Sequence, residues 1–162
     1  MSIDVKTVSG RRELRYESFD ELLADAEKLV STPGTRTLGN WSLAQLLAHL
    51  ASAIQMSLGD VPPPTVPWPI RIIGFLVKGR LLRKGPSPGF KLPAEVEPKV
   101  YPSVASAEEG REMLRTAVAR TKTERMSARH PILGPLTHEE WGKLHLRHAE
   151  LHLSFAVPGD PA

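Results

Sequence analysis

Four segments of the chain open with one pattern, a hydroxyl followed three residues later by an acid or amide: Ser18-Phe-Asp-Glu21, Ser42-Leu-Ala-Gln45, Ser106-Ala-Glu-Glu109 and Thr137-His-Glu-Glu140. In a capping box the hydroxyl accepts an orphan N–H of a helix start, and the third side chain reaches back to the N–H of the cap. Each box therefore predicts a helix. The first is expected from Ser18 to about Leu29, ahead of Ser31-Thr32-Pro33-Gly34, and the second from Ser42 to about Leu58, ahead of Gly59-Asp60 and Pro62-Pro63-Pro64. The third should run from Ser106 to near Ser127, and the fourth from Thr137 to about Ala156, where Pro158-Gly159 stops it. Leu43, Leu46, Leu47, Leu50 and Ile54 recur at three- and four-residue spacing and give the second helix an apolar stripe. No strand alternation or internal repeat competes with this pattern. The expected fold is all-α, an antiparallel four-helix bundle.

At 162 residues, with 41% apolar and 24% charged content, the chain suits one domain over 1–162, with an N-terminal arm at 1–17 and a long proline-rich crossover at 61–104. Within the crossover, Ile70-Arg-Ile-Ile-Gly-Phe-Leu-Val-Lys-Gly-Arg-Leu-Leu-Arg-Lys84 predicts a short extra helix, and no Asp or Glu occurs between Asp60 and Glu95. Such a basic segment can lie on an anionic membrane or on nucleic acid. The simpler expectation packs Ile72, Phe75, Leu76 and Leu82 on the bundle and leaves the cations in water. Two glycines weaken the helix and no aromatic pattern accompanies the charge, so neither membrane association nor specific nucleic-acid binding is expected. Pro86 to Pro93 then reads as an extended covering loop.

The formal charge of +3 is modest and spread along the chain. There is no cysteine, which excludes disulfides, thiolate metal ligands and a protein thiol nucleophile. The first ten residues lack the apolar core of a secretory signal, and the longest apolar run, broken by Gly74, is too short to span a bilayer. A cytoplasmic protein is expected.

The chemistry-bearing residues are histidines. His148 and His152 lie one helical turn apart, so both can grip a single metal ion. At about 100° per residue they share an arc with Trp141, Leu144, Leu151 and Phe155, which points the imidazoles toward the core. A buried neutral imidazole needs a partner for its donor and another for its acceptor. His49, on the second helix with Gln45 on its face, is the candidate third member. Three neutral imidazoles on one side of an ion leave the other side open to water or substrate, as in catalytic sites. Spacing alone leaves the metal site and a set of hydrogen-bonded core histidines both open. His145 is either an acid, base or proton shuttle beside the site, or a histidine bonded to a neighbouring carbonyl. His138, in the first turn of the last helix, is expected to be solvated, and His130, before Pro131, to fix its connection.

Asn40-Trp41-Ser42 with Gln45 and His49, taken with His130-Pro131-x-x-Gly134-x-Leu136-Thr137-x-Glu139-Glu140-Trp141-x-x-x-His145-x-x-His148-x-x-x-His152-Leu153, resembles the DinB-like metal-binding four-helix-bundle superfamily. The resemblance runs from Ser18 to Phe155 and is strongest to a bacterial branch of unassigned function. It implies His49, His148 and His152 as ligands of a divalent ion, zinc or nickel ahead of iron or manganese, in a homodimer. Characterised relatives include low-molecular-weight thiol transferases and a thiol-dependent isomerase. They imply a metal-dependent transferase for a small-molecule substrate, activating a small thiol or water, with His145 as acid or base. Metal-dependent hydrolysis and a non-catalytic metal- or ligand-binding stress-response module are the alternatives. Many relatives carry a histidine just before the last ligand and a glutamine three residues after it, whereas this chain has Leu151 and Phe155. Outer partners orient imidazoles and tune a metal, so the reaction of a relative does not transfer directly.

Overall fold

The computed structural model describes residues 3–63, 65–89 and 103–159. All four boxes start helices. Ser18 caps α1 (Phe19–Ser31), Ser42 caps α2 (Leu43–Leu58), Ser106 caps α4 (Ala107–Thr121) and Thr137 caps α5 (His138–Leu153), each hydroxyl accepting from the N–H three residues on. In α2 and α5 the Ser42 and Thr137 N–H groups donate in return to the Gln45 and Glu140 side chains and complete the box. Between α2 and α4 lies α3 (Trp68–Lys84), the extra helix expected in the crossover.

Helices α1, α2, α4 and α5 contribute to one apolar core, with Leu22 and Leu29, Leu47 and Ile54, Leu114 and Val118, and Leu153 all essentially inaccessible to solvent. Burying each such side chain stabilises the fold by about 1.5–3 kcal/mol. A Cβ at Gly110 of α4 would lie 2.7 Å from the Ala44 carbonyl oxygen, so glycine is what lets α4 approach α2 closely. A second cluster, Met126, Leu133, Leu136, Trp141 and Leu144, fills the space between the α4–α5 connection and the start of α5.

Two helix ends differ from expectation. Helix α4 stops at Thr121 rather than near Ser127, because the Lys122 N–H turns back to the Ala119 and Arg120 carbonyls and the chain bends to bury Met126. Helix α5 stops at Leu153 because Ala156–Val157 (β2) pairs antiparallel with Arg36–Thr37 (β1), Thr37 opposite Ala156. Two residues per strand are too few to leave an alternation in the sequence.

The packing of α3 is the larger correction. Ile72, Phe75 and Leu76 do not pack on the rest of the fold: they are 52%, 72% and 75% exposed, and Trp68 and Ile73 are exposed with them. Leu82 does pack as expected, with Leu81, on the second cluster. The reason lies at Gly74, where a Cβ would sit 2.4 Å from the Ile132 carbonyl oxygen. The backbone itself is the contact surface there, and at about 100° per residue the arc opposite Gly74 carries Trp68, Ile72, Phe75 and Leu76. Lys78 reaches Glu140 at 2.9 Å, while Arg71, Arg80, Arg83 and Lys84 stay exposed, as expected. The last residues of the predicted covering loop, 90–93, lie outside the described residues. None of the helices is long and apolar enough to cross a membrane, among the described residues.

The N-terminal arm is tied to the end of α5. The Arg12 N–H donates to the Ser154 carbonyl at 2.9 Å, the Arg12 guanidinium pairs with both oxygens of Asp25 at 2.8 Å, and the Tyr16 hydroxyl donates to the same carboxylate. The Tyr16 N–H donates to Glu150 at 2.7 Å, and Arg147 donates to the Tyr16 carbonyl and pairs with Glu150. These bonds carry the arm past the C-terminal half of α5.

Candidate metal centre

Packing α2 and α5 into one core brings His49 beside His148 and His152. Three imidazole nitrogens converge: His148 Nε2 lies 3.1 Å from His49 Nε2 and 2.9 Å from His152 Nε2. The rings are mutually edge-on, with centroids 4.5 to 4.9 Å apart, so the nitrogens and not the ring faces meet. Trp41, just ahead of the cap of α2, stacks on His152 at 5.3 Å and 8° and presents an edge to His49.

Proton counting shows what this geometry accommodates. A neutral imidazole nitrogen either carries one proton or offers one in-plane lone pair. His148 Nε2 faces two nitrogens, so it satisfies both contacts as hydrogen bonds only if two N–H groups crowd one lone pair. A divalent ion resolves the conflict, since each histidine then carries its proton on Nδ1 and turns its Nε2 lone pair to a common point. Nitrogens bound at zinc-like distances sit roughly 3.3 Å apart in a tetrahedral shell, close to the spacings seen here. The donor set therefore fits a divalent ion. Burial first, then the neighbouring imidazoles, hold His148 and His152 well below the usual histidine range, and the Arg11 charge adds to the effect at His152. Neutral rings with free lone pairs are the form a metal needs.

The centre is less enclosed than its helical arc implies. His49 is buried, but His148 and His152 are half-buried and stand at the margin of the core. Leu144 and Trp141, earlier on the same helix, belong to the second cluster instead.

The other histidines have different partners. His145 is buried, with Nε2 3.0 Å from Ser57 Oγ and its ring stacked on Trp141 at 5.2 Å. The Ser57 hydroxyl donates to the Ile54 carbonyl at 2.6 Å, so its oxygen accepts from His145 Nε2–H. Burial pushes His145 down to about 3, with a smaller contribution from His130. His130 fixes its turn: Nδ1 accepts from the N–H groups of Ile132 and Leu133 at 3.1 and 3.0 Å, and burial lowers its pKa to about 4. His138 is not simply solvated; it is half-buried, and its Nδ1 accepts from the Met126 N–H at 3.1 Å, because the bend after α4 delivers that donor to the first turn of α5.

Arg11 and Phe155 lie just beyond the turn that carries His152, where the Phe155 N–H donates to the His152 carbonyl at 3.2 Å, and sequence patterns did not single out Arg11. Phe155 follows His152 by three residues, and the Arg11 guanidinium lies 4.1 Å from its ring centroid, with Nε and Nη2 on Ser154 Oγ at 3.1 and 2.6 Å. More than 140 residues separate Arg11 from its partners in the chain, so no local spacing could reveal it.

The fold and site define a mostly helical protein with a cluster of three histidines able to hold a metal ion. The chain belongs to the family described as a protein of unknown function, DUF1569, whose model matches residues 8–159. Neither the curated proteins nor the solved structures gave a match.

Proposed function

We propose that this protein is a divalent-metal-dependent enzyme of the DinB-like class, its helices α1, α2, α4 and α5 forming an antiparallel four-helix bundle. The activity proposed is that of a transferase acting on a small molecule with a small thiol or water as nucleophile. The observation that carries this reading is the convergence of three Nε2 atoms on one point. A divalent ion held there would lower the pKa of a bound water or thiol, supplying a nucleophile that a chain without cysteine lacks. Zinc or nickel suits an all-imidazole donor set better than magnesium or calcium does. His49, His148 and His152 would hold the ion, Trp41 would fix the ring plane of His152, and the half-buried margin of the cluster would admit the substrate. A homodimer goes with this reading, from the resemblance, and a cytoplasmic location is proposed with it.

A second reading, a metal- or ligand-binding module without turnover, is favoured by the position of His145. The acid–base candidate of the sequence is engaged with Ser57 and Trp141 and is not one of the three converging histidines. Hydrolysis with water as nucleophile would use the same centre. The deciding experiment loads the protein with cobalt(II) and adds a small thiol such as 2-mercaptoethanol near pH 7. One ion per chain and a new near-ultraviolet thiolate-to-cobalt band support the transferase reading. Stoichiometric cobalt with no thiol band favours the binding module or the hydrolase, and no uptake overturns the metal reading.

A further inference from the structure

Every half-buried or buried arginine among the described residues but one has a carboxylate within ion-pair distance. Arg12 has Asp25, Arg111 has Glu27, Arg120 has Asp60 and Glu124, and Arg147 has Glu150. Arg11 is the exception. It is half-buried, and its partners among the described residues are the Ser154 hydroxyl and the face of Phe155, both uncharged. Taking a guanidinium partly out of water without a counter-ion costs free energy that a cation–π contact offsets only in part.

The charge balance around it is one-sided. The three histidines would bind as neutral imidazoles, so a divalent ion among them would keep its full charge, and Arg11, over the ring of Phe155 whose N–H donates to the His152 carbonyl, adds another. Asp25 of α1 is taken by Arg12 and Tyr16, and Glu150 of α5 by Arg147 and the Tyr16 N–H, so neither serves Arg11. The Arg11 fork is also oriented. With Nε and Nη2 on Ser154 Oγ, the terminal edge formed by Nη1 and the second Nη2 proton remains to be offered, and that edge matches a planar carboxylate in two parallel hydrogen bonds. The walls are aromatic, Phe155 under Arg11 and Trp41 on His152. Flat walls and one guanidinium suit a planar, singly charged group better than a phosphate, which needs more donors.

We propose that Arg11 is a specificity-determining residue of the three-histidine centre, which takes a carboxylate-bearing small molecule with its carboxylate on the free edge of the Arg11 guanidinium. This rests on the metal reading above. It also gives Phe155 a use, as the ring that seats Arg11.

The test uses the full-length protein loaded with cobalt(II), whose visible absorption reports a ligand near the ion. Acetate and inorganic phosphate are titrated at constant ionic strength into the wild type, Arg11→Gln and Arg11→Lys. Acetate is expected to perturb the spectrum of the wild type, with affinity at least tenfold weaker in Arg11→Gln and partly kept in Arg11→Lys, which retains the charge but not the fork. Cobalt affinity should be unchanged or higher in Arg11→Gln, because a repelling charge has gone. Equal acetate affinity in wild type and Arg11→Gln, or phosphate bound more tightly than acetate, overturns the assignment. So does a parallel loss of cobalt affinity and of the urea midpoint in Arg11→Gln, which marks a purely structural arginine. Failure of the wild type to take up cobalt overturns the metal reading itself, and this proposal with it.

Discussion

The two halves of α5 treat their histidines in opposite ways. In the N-terminal half each imidazole meets a group of complementary chemistry: His138 accepts from a backbone N–H, and His145 donates to a hydroxyl whose own proton is spent elsewhere. In the C-terminal half nitrogen meets nitrogen, with His148 between His49 and His152. One helix thus carries two histidines with structural partners and two that converge with His49, and the surroundings decide which is which. A satisfied histidine is a piece of core. A histidine whose neighbours also want a proton or a cation is a candidate ligand.

The largest effect that could break this comparison is on metal binding. His148→Ala removes the nitrogen shared by both short contacts and should weaken metal affinity by about 100-fold or more, read by chelator competition. His145→Ala should keep the metal, and equal losses in the two variants would erase the distinction between the halves. Stability should rank the other way. His145→Ala empties a buried site between Trp141 and Ser57 and should cost about 2–4 kcal/mol in urea unfolding of the metal-free protein, whereas His148→Ala, which relieves crowded lone pairs, should cost less.

The pH dependence sharpens the same contrast. Burial holds His145 at about 3 and His130 at about 4, both below the ordinary histidine value, so the unfolded chain binds more protons than the folded one. Their contribution is complete above about pH 6.5 and is lost as the pH falls, down to the folded value of each, at about 1.4 kcal/mol per pH unit per histidine. Urea midpoints of the metal-free protein between about pH 7 and 5 should show this decline, and His145→Gln should make it shallower; an unchanged slope would mean that His145 titrates normally in the fold. The smallest expected effect is at His138. Replacing it by alanine leaves the Met126 N–H without its acceptor and should cost about 1 kcal/mol, with metal content unaltered by elemental analysis.

Much of the fold was legible because its signals are local. The four hydroxyl caps and the leucine spacing of α2 act within one or two turns, so the helix starts agree with the structure to the residue. The ends were less legible. What stops α4 is a bend that buries Met126, and what stops α5 is pairing with a strand far away in sequence, Arg36 opposite Val157. Helix α3 shows the limit plainly: its apolar residues suggested burial, but the close approach at Gly74 turned that face to solvent.

The candidate site divides along the same line. The turn-spaced pair His148 and His152 is a property of any α-helix with that spacing, and the sequence by itself determined that both would present to one side. Which histidines meet across the fold was decided by tertiary structure alone, because the docking of α2 on α5 sets whether His49 or Ser57 faces a given imidazole. His145 and His148 are three residues apart and nearly on one face, yet the first meets a hydroxyl and the second meets two nitrogens. Arg11 lies further still from anything a local pattern can carry. Helix periodicity is set by the backbone within a turn, whereas the identity of a partner is set by which residues the packed core brings together from distant parts of the chain.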